Sequence, residues 1–417
     1  MPPPIPHCRI GKFISSYESP SRLVTCDMFI VSNALPENHG LGREAQLQLI
    51  AVNASDNRSL PSLTKMLSLN ILPLASLIGL SLALPKARSP KLDPNPIPGE
   101  SPLFATYTGE PTPIPANYTR VIPATSSGPA GPDDVLFQNL LSAEWIIYSF
   151  YQQGVEAFTP SSFSDLGYPN STYDRIAEIR DNEAGHIRIF QDEISSTSLK
   201  PGPCNYSFGF NNDPETFLAL QVYIEVNSMA FLTGLVREAN TTDTRSALVA
   251  IGEIETRHNA WSLIDIWGVS PFSGPADTVY PYANQILALT NSFVASGSCP
   301  SENPQYPYPN QNLPEIGYVT NTTTGHPGSK IQLEFSSDPA FVEGGDYYAV
   351  FFHGLQNISV PFDISTNETV IPGSFDKGAG IIAIAIADEA GAPTEDSVLA
   401  GPLLLLQQPE KLTVLEP

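Results

Sequence analysis

Arg180-Asp181-Asn182-Glu183-Ala184-Gly185-His186 and Ile254-Glu255-Thr256-Arg257-His258 carry one signature twice: a glutamate followed three residues later by a histidine. On a helix, positions i and i+3 share a face, so each pair can present a carboxylate and an imidazole to one point. Glutamate makes up roughly 6% of ordinary sequence, so two given histidines both meeting it at that offset is about a one-in-300 accident. Outward from these pairs, two lone glutamates sit in apolar stripes of helical period. Leu140, Glu144, Ile147 and Tyr151 form one stripe, and Ile224, Glu225, Ser228 and Phe231 lie on another. A carboxylate centred in such a stripe is costly unless it is paired or metal-bound. The spacing therefore predicts four helices over about residues 133–267, each sending one acid to a shared interior. Four carboxylates and two imidazoles suit two iron or manganese ions, and four negative charges balance two divalent cations. The alternative is that Glu144, Glu183, His186, Glu225, Glu255 and His258 pair among themselves as a buried polar network.

The steps along the chain set a topology. From Glu144 to Glu183 is 39 residues and from Glu225 to Glu255 is 30, each the length of a helical hairpin. The 42-residue step between Glu183 and Glu225 contains a Pro/Gly/Cys loop and predicts a longer crossover. Pro132-Asp133-Asp134 and Asp213-Pro214-Glu215 read as helix starts, with acid at the positive end of the dipole. Residues 277–297 predict a fifth helix packed outside. This order, Glu, Glu-x-x-His, Glu, Glu-x-x-His, resembles the ferritin-like di-iron and di-manganese carboxylate bundles. The resemblance implies a ferritin-like four-helix bundle with a fifth helix over residues 132–299.

From about Pro300 the apolar period changes from 3.6 to 2. Lys330 to Phe335 alternates, as does the ladder Ile382-Ala383-Ile384-Ala385-Ile386, and Tyr347 to His353, Ser359 to Ile364 and Val398 to Leu406 are further strand candidates. Residues 300–417 thus predict a small antiparallel β-sandwich, giving a multi-domain α + β chain. His326 and His353 stand alone there and read as ordinary loop and strand residues.

Composition narrows the class. With 20 Lys+Arg against 43 Asp+Glu, the net charge of −23 argues against nucleic acid and anionic membranes as partners. An apolar run beginning near Met66 ends in small residues at Ser81-Leu82-Ala83, the pattern of a signal peptide over residues 66–83. On that reading residues 1–65 are an upstream extension that is not part of the working protein. The alternative is a signal anchor that leaves residues 1–65 in the cytosol. Residues 84–131, rich in Pro, Ser and Thr, read as an extended arm. Asn-x-Ser/Thr acceptors at Asn117, Asn170, Asn205, Asn240, Asn321, Asn357 and Asn367 fit export to the cell surface or medium, with no membrane contact after cleavage. Cys204 and Cys299, the two cysteines beyond the leader, predict a disulfide in an oxidising compartment, the alternative being two free thiols.

The segments Asn139 to Glu144, Arg180 to His186 and Ile254 to His258, with the two cysteines, resemble the fungal Rds-type stress-response proteins. That family combines an exported leader, a ferritin-like domain and a C-terminal β region. The resemblance spans residues 66–417 and implies a stress-response protein acting on iron, O2 or H2O2, as an oxidase, peroxidase or catalase-like di-iron or di-manganese oxidoreductase. A metal-binding or structural protein of the cell surface without turnover, its β domain touching the cell wall, is the alternative. In the di-metal reading Glu183 and Glu255 bridge, while Glu144 and Glu225 are terminal. Tyr151 and Tyr223 are candidate redox relays, or else plain core tyrosines. Asn182, Gln221 and Asp265 are candidates to orient the imidazoles from behind.

Overall fold

The computed structural model describes residues 114, 119–272, 280–319, 325–375, 380–407 and 412. The upstream extension, the leader, and the acceptors Asn117 and Asn321 lie outside the described residues.

Four long helices come first: α1 (Asp134–Ala157), α3 (Thr172–Glu193), α4 (Pro214–Leu235) and α5 (Thr242–Trp261), with a one-turn helix α2 (Pro160–Ser164) between α1 and α3. α1 packs along α3, and α4 along α5, as the hairpin spacings require. The helix starts follow local chemistry. Asp213 accepts from Glu215 N and Thr216 N at 3.3 and 3.2 Å, and Pro214 supplies the preset φ of the first turn. The Thr241 hydroxyl accepts from Thr244 N at 3.0 Å. Asp133 behaves differently: it makes no capping bond to α1. It reaches instead to the start of α5, accepting from Asn240 N at 2.8 Å, Thr241 N at 3.1 Å and Thr244 Oγ1 at 2.7 Å. Asp134 accepts from Ser195 N at 3.0 Å and Ser198 Oγ at 2.5 Å, just beyond the end of α3. Adjacent acids thus tie one helix end to two others.

α4 is long and apolar enough to cross a bilayer by composition, yet 78% of its most apolar window is buried among its neighbours. The predicted fifth helix differs from expectation. α6 (Ala283–Leu289) has only seven residues, and Ala283, Ile286 and Leu287 are fully buried, so it is a core element and not an outer one. The disulfide between Cys204 and Cys299 closes the crossover onto the chain after α6. It extends backbone pairing already present there: Ser207 N donates to Phe293 O and Ala295 N to Asn205 O, both at 2.9 Å. Part of the arm is also fixed, since Ile122 pairs with Lys200 in both directions.

Two antiparallel sheets follow. One runs β1 (Ile316–Tyr318), β2 (Lys330–Phe335), β5 (Glu368–Val370); the other runs β4 (Gln356–Pro361), β3 (Tyr348–His353), β6 (Ile381–Ala387), β7 (Val398–Leu406). β1 and β5 were not expected, being three-residue strands too short to show a period. β4 begins at Gln356, three residues before the expected start, because Gly354 at φ 60 turns the chain directly after β3.

The Ile-Ala ladder has a structural reason. Ile382, Ile384 and Ile386 point into a core shared by the two sheets, while Ala383, Ala385 and Ala387 belong to the core that contains the helices. Both faces of β6 are buried, and the small alanines let helices and sheet approach closely.

Candidate metal centre

Glu144 lies on α1, Glu183 and His186 on α3, Glu225 on α4, and Glu255 and His258 on α5, and all six are buried. Ligand atoms of Glu144, Glu183, His186 and Glu255 all lie within 4.8 Å of one another, and so do those of Glu183, Glu225, Glu255 and His258. Glu183 and Glu255 belong to both groups. His186 Nδ1 is 2.9 Å from Glu183 Oε2, 3.3 Å from Glu255 Oε1 and 3.5 Å from Glu144 Oε1. His258 Nδ1 is 3.1 Å from Glu183 Oε1, 3.3 Å from Glu255 Oε2 and 3.5 Å from Glu225 Oε2. Each central carboxylate turns one oxygen to each imidazole, and each outer carboxylate serves one imidazole.

The electrostatics are strained in the way a cation would relieve. Burial, and then the charge of Glu183, push the Glu144 carboxyl well above its ordinary range. Burial pushes Glu225 up to about 8. Burial works against Glu183 and Glu255 too, but the two imidazoles hold both carboxylates low. His186 and His258, despite burial that favours the neutral ring, are held charged by the surrounding glutamates. Several atoms aimed at this interior find no hydrogen-bond partner of good geometry among the described residues: Glu144 Oε1, Glu183 Oε1, Glu225 Oε2, Glu255 Oε2 and His258 Nδ1. Unpartnered buried polar atoms of this kind are rare and costly. The donor set of four carboxylates and two imidazoles fits two hard-to-borderline divalent cations.

The other candidates separate by position. Tyr151 is fully buried and its hydroxyl makes a short bond to Glu225 Oε1. Gln221, one turn before Glu225, is fully buried beside the Tyr151 hydroxyl. Tyr223 lies two residues before Glu225, about 200° around the helix, and it lines a cavity with Glu315 and Leu403 on the sheet side. Asn182 folds back on its own helix, donating to Glu178 O at 3.1 Å. Asp265, seven residues after His258, would share its face on a regular helix. A π turn at Ser262–Ile266, closed by Trp267 N donating to Ser262 O at 3.1 Å, rotates it out to solvent. The structure thus brings six predicted ligands, Tyr151 and Gln221 together and sends Tyr223, Asn182 and Asp265 elsewhere. Asn227, two residues beyond Glu225 and also buried, was not anticipated; its signal was a polar residue inside an apolar run.

None of the curated proteins compared matches this chain. Residues 133–263, the segment holding all six converging side chains, match the model of a family described as Ferritin-like domain.

Proposed function

We propose that this protein is an exported stress-response protein whose ferritin-like four-helix bundle, followed by a β-sandwich, holds two iron or manganese ions and acts on iron, O2 or H2O2. One observation carries the reading: two overlapping ligand sets share Glu183 and Glu255, each with one oxygen toward either imidazole. Glu183 and Glu255 would bridge the two ions. His186 with Glu144 would complete one ion's ligands, and His258 with Glu225 the other's. When bound, two such ions supply the two electrons that peroxide reduction needs.

The chain's own groups prepare that site. Tyr151 holds its proton against Glu225 Oε1 and so leaves Oε2 facing His258. Burial excludes water and strengthens every charge interaction inside. Export is supported by the disulfide and by the exposed acceptors Asn170, Asn205, Asn240 and Asn357. The link to fungal Rds-type proteins rests on the motif segments quoted above.

The test is metal content and peroxide consumption of purified full-length protein beside Glu183→Ala and His258→Ala variants. The expected result is two equivalents of iron or manganese, lost in both variants together with peroxide consumption. Wild-type protein that takes up neither metal overturns the reading. Metal retained without turnover would instead assign the centre a structural role at the cell surface.

A further inference from the structure

A cavity of about 140 Å³ lies between α1, α4, the turn after α6, and strand β7. Its walls are apolar: Ile146 and Ile147 from α1, Ile224 and Phe231 from α4, Phe293, and Leu404 from β7. A cavity of about 150 Å³ with comparable lining holds one benzene ring, so the volume here matches a single six-membered ring.

The polar groups on the wall are nearly all occupied. Ser228 Oγ donates to Ile224 O at 3.0 Å, Thr290 Oγ1 to Leu287 O at 2.6 Å and Ser292 Oγ to Leu289 O at 2.8 Å. Asn227 is the exception. It is 5% exposed, and its Nδ2 donates to Tyr223 O at 2.7 Å, but its Oδ1 has no hydrogen-bond partner among the described residues. The same amide also hydrogen-bonds the Tyr223 phenol, and Oδ1 still remains without a partner among the described residues. A buried acceptor left unpaired on an apolar wall costs free energy that a ligand's hydrogen-bond donor would recover. Two of its lining residues share helices with the candidate metal centre: Ile147 is three residues beyond Glu144, and Ser228 three beyond Glu225.

We propose that this cavity binds one small, uncharged, single-ring molecule bearing a hydroxyl donor, a phenol-class ligand, with the ring among the isoleucines and its O–H on Asn227 Oδ1. An anionic ring is disfavoured, because nothing on the apolar wall would offset its desolvation and Glu315 at the exposed mouth repels it; a cationic ring would still have to leave water for that apolar wall. The site is defined by shape and by Asn227, so its occupancy does not depend on the metal reading.

The experiment is a saturation-transfer NMR titration of full-length protein with phenol and, separately, with toluene, which has the same shape without the donor. Phenol is expected to bind at one site roughly 5- to 10-fold tighter than toluene, the worth of one recovered hydrogen bond. In Asn227→Leu, whose side chain is of similar size, that preference falls to about one. Ala143→Leu, which extends a wall residue into the void, weakens both ligands. Equal affinities in the wild type, a phenol preference that survives Asn227→Leu, or no saturable binding each overturn the proposal. Should Ala143→Leu fail to fold, the comparison of the two ligands in wild type and Asn227→Leu still decides. The readout is independent of metal content and turnover, so failure here is distinct from failure of the centre.

Discussion

Glu225 divides its two oxygens between two tasks: Oε1 accepts the Tyr151 hydroxyl and Oε2 stands 3.5 Å from His258 Nδ1. With Gln221 also beside its hydroxyl, Tyr151 is positioned to aim that carboxylate. Removing the hydroxyl while keeping the ring isolates that role. If the proposed two-ion centre forms, Tyr151→Phe is expected to keep its stoichiometry but to lower metal affinity about 10- to 100-fold, as for other groups that orient ligands. Competition with a chelator of known affinity measures it, and an unchanged affinity would show that Glu225 orients without help. Tyr151 was legible because it falls seven residues after Glu144, two turns along the same face. Its partner was not legible, because Glu225 lies on another helix and no spacing within one segment records which face meets which.

At the scale of elements, helix ends are held by buried acids. Burial raises both Asp133 and Asp134, but hydrogen bonds from Asn240, Thr241 and Thr244 outweigh it for the first, and those from Ser195, Ser198 and Gly131 for the second. Both carboxyls therefore titrate below their ordinary value of 3.8. A carboxyl with a depressed folded-state pKa contributes stability above its unfolded value, and the contribution is lost as pH falls through the folded value. Chemical denaturation at pH 7 and pH 3 should thus show Asp133→Asn costing about 2 kcal/mol at the upper pH and less at the lower one. A cost equal at both would mean that the charge contributes nothing. The sequence showed acids at a helix start, and the dipole argument accounted for their sign. It could not show that Asp133 serves α5, since that contact joins residues 107 to 111 positions apart.

The same scale explains a glycine inside a helix. Gly154 on α1 faces Phe217 on α4, and a Cβ there would lie 2.4 Å from two ring carbons. That ring cannot yield, being stacked on Phe150 at 4.4 Å and wedged against Tyr151, Phe158 and Phe210. Alanine would gain up to about 1 kcal/mol in helix propensity but lose about 1–3 kcal/mol to overpacking. The overlap is backed by four rings, so the loss wins. Gly154→Ala is expected to lower the thermal midpoint, and because Tyr151 shares the cluster, to weaken metal binding as well. A raised midpoint would show that the rings repack freely.

For the whole molecule, the decisive feature is how the sheet meets the helices. Sequence periodicity separated a helical region from a β region at about Pro300, and the elements do divide there. What periodicity could not show is that β3, β6 and β7 bury both faces. Phe351, Ile384 and Leu405 pack toward the second sheet, while their neighbours Phe352, Ala385 and Leu404 join the core of the helices. Tyr280 packs edge-on against Phe352 at 5.1 Å, and the Tyr282 hydroxyl donates to Ala392 O at 2.5 Å, so α6 is clamped from the β side. An alternating run reads as half-exposed when small alanines occupy one face, although here that face is covered. Two regions joined by a common core unfold together, whereas regions joined by a linker unfold separately. Calorimetry of the full chain, disulfide intact, should accordingly give one transition whose calorimetric and van't Hoff enthalpies agree. Residues 119–299 produced alone should expose the apolar face that β3, β6 and β7 cover and should aggregate. Two resolved transitions, or a soluble and cooperatively folded helical fragment, would show that the shared core contributes little, and the β region would then be an independent domain set beside the candidate metal centre.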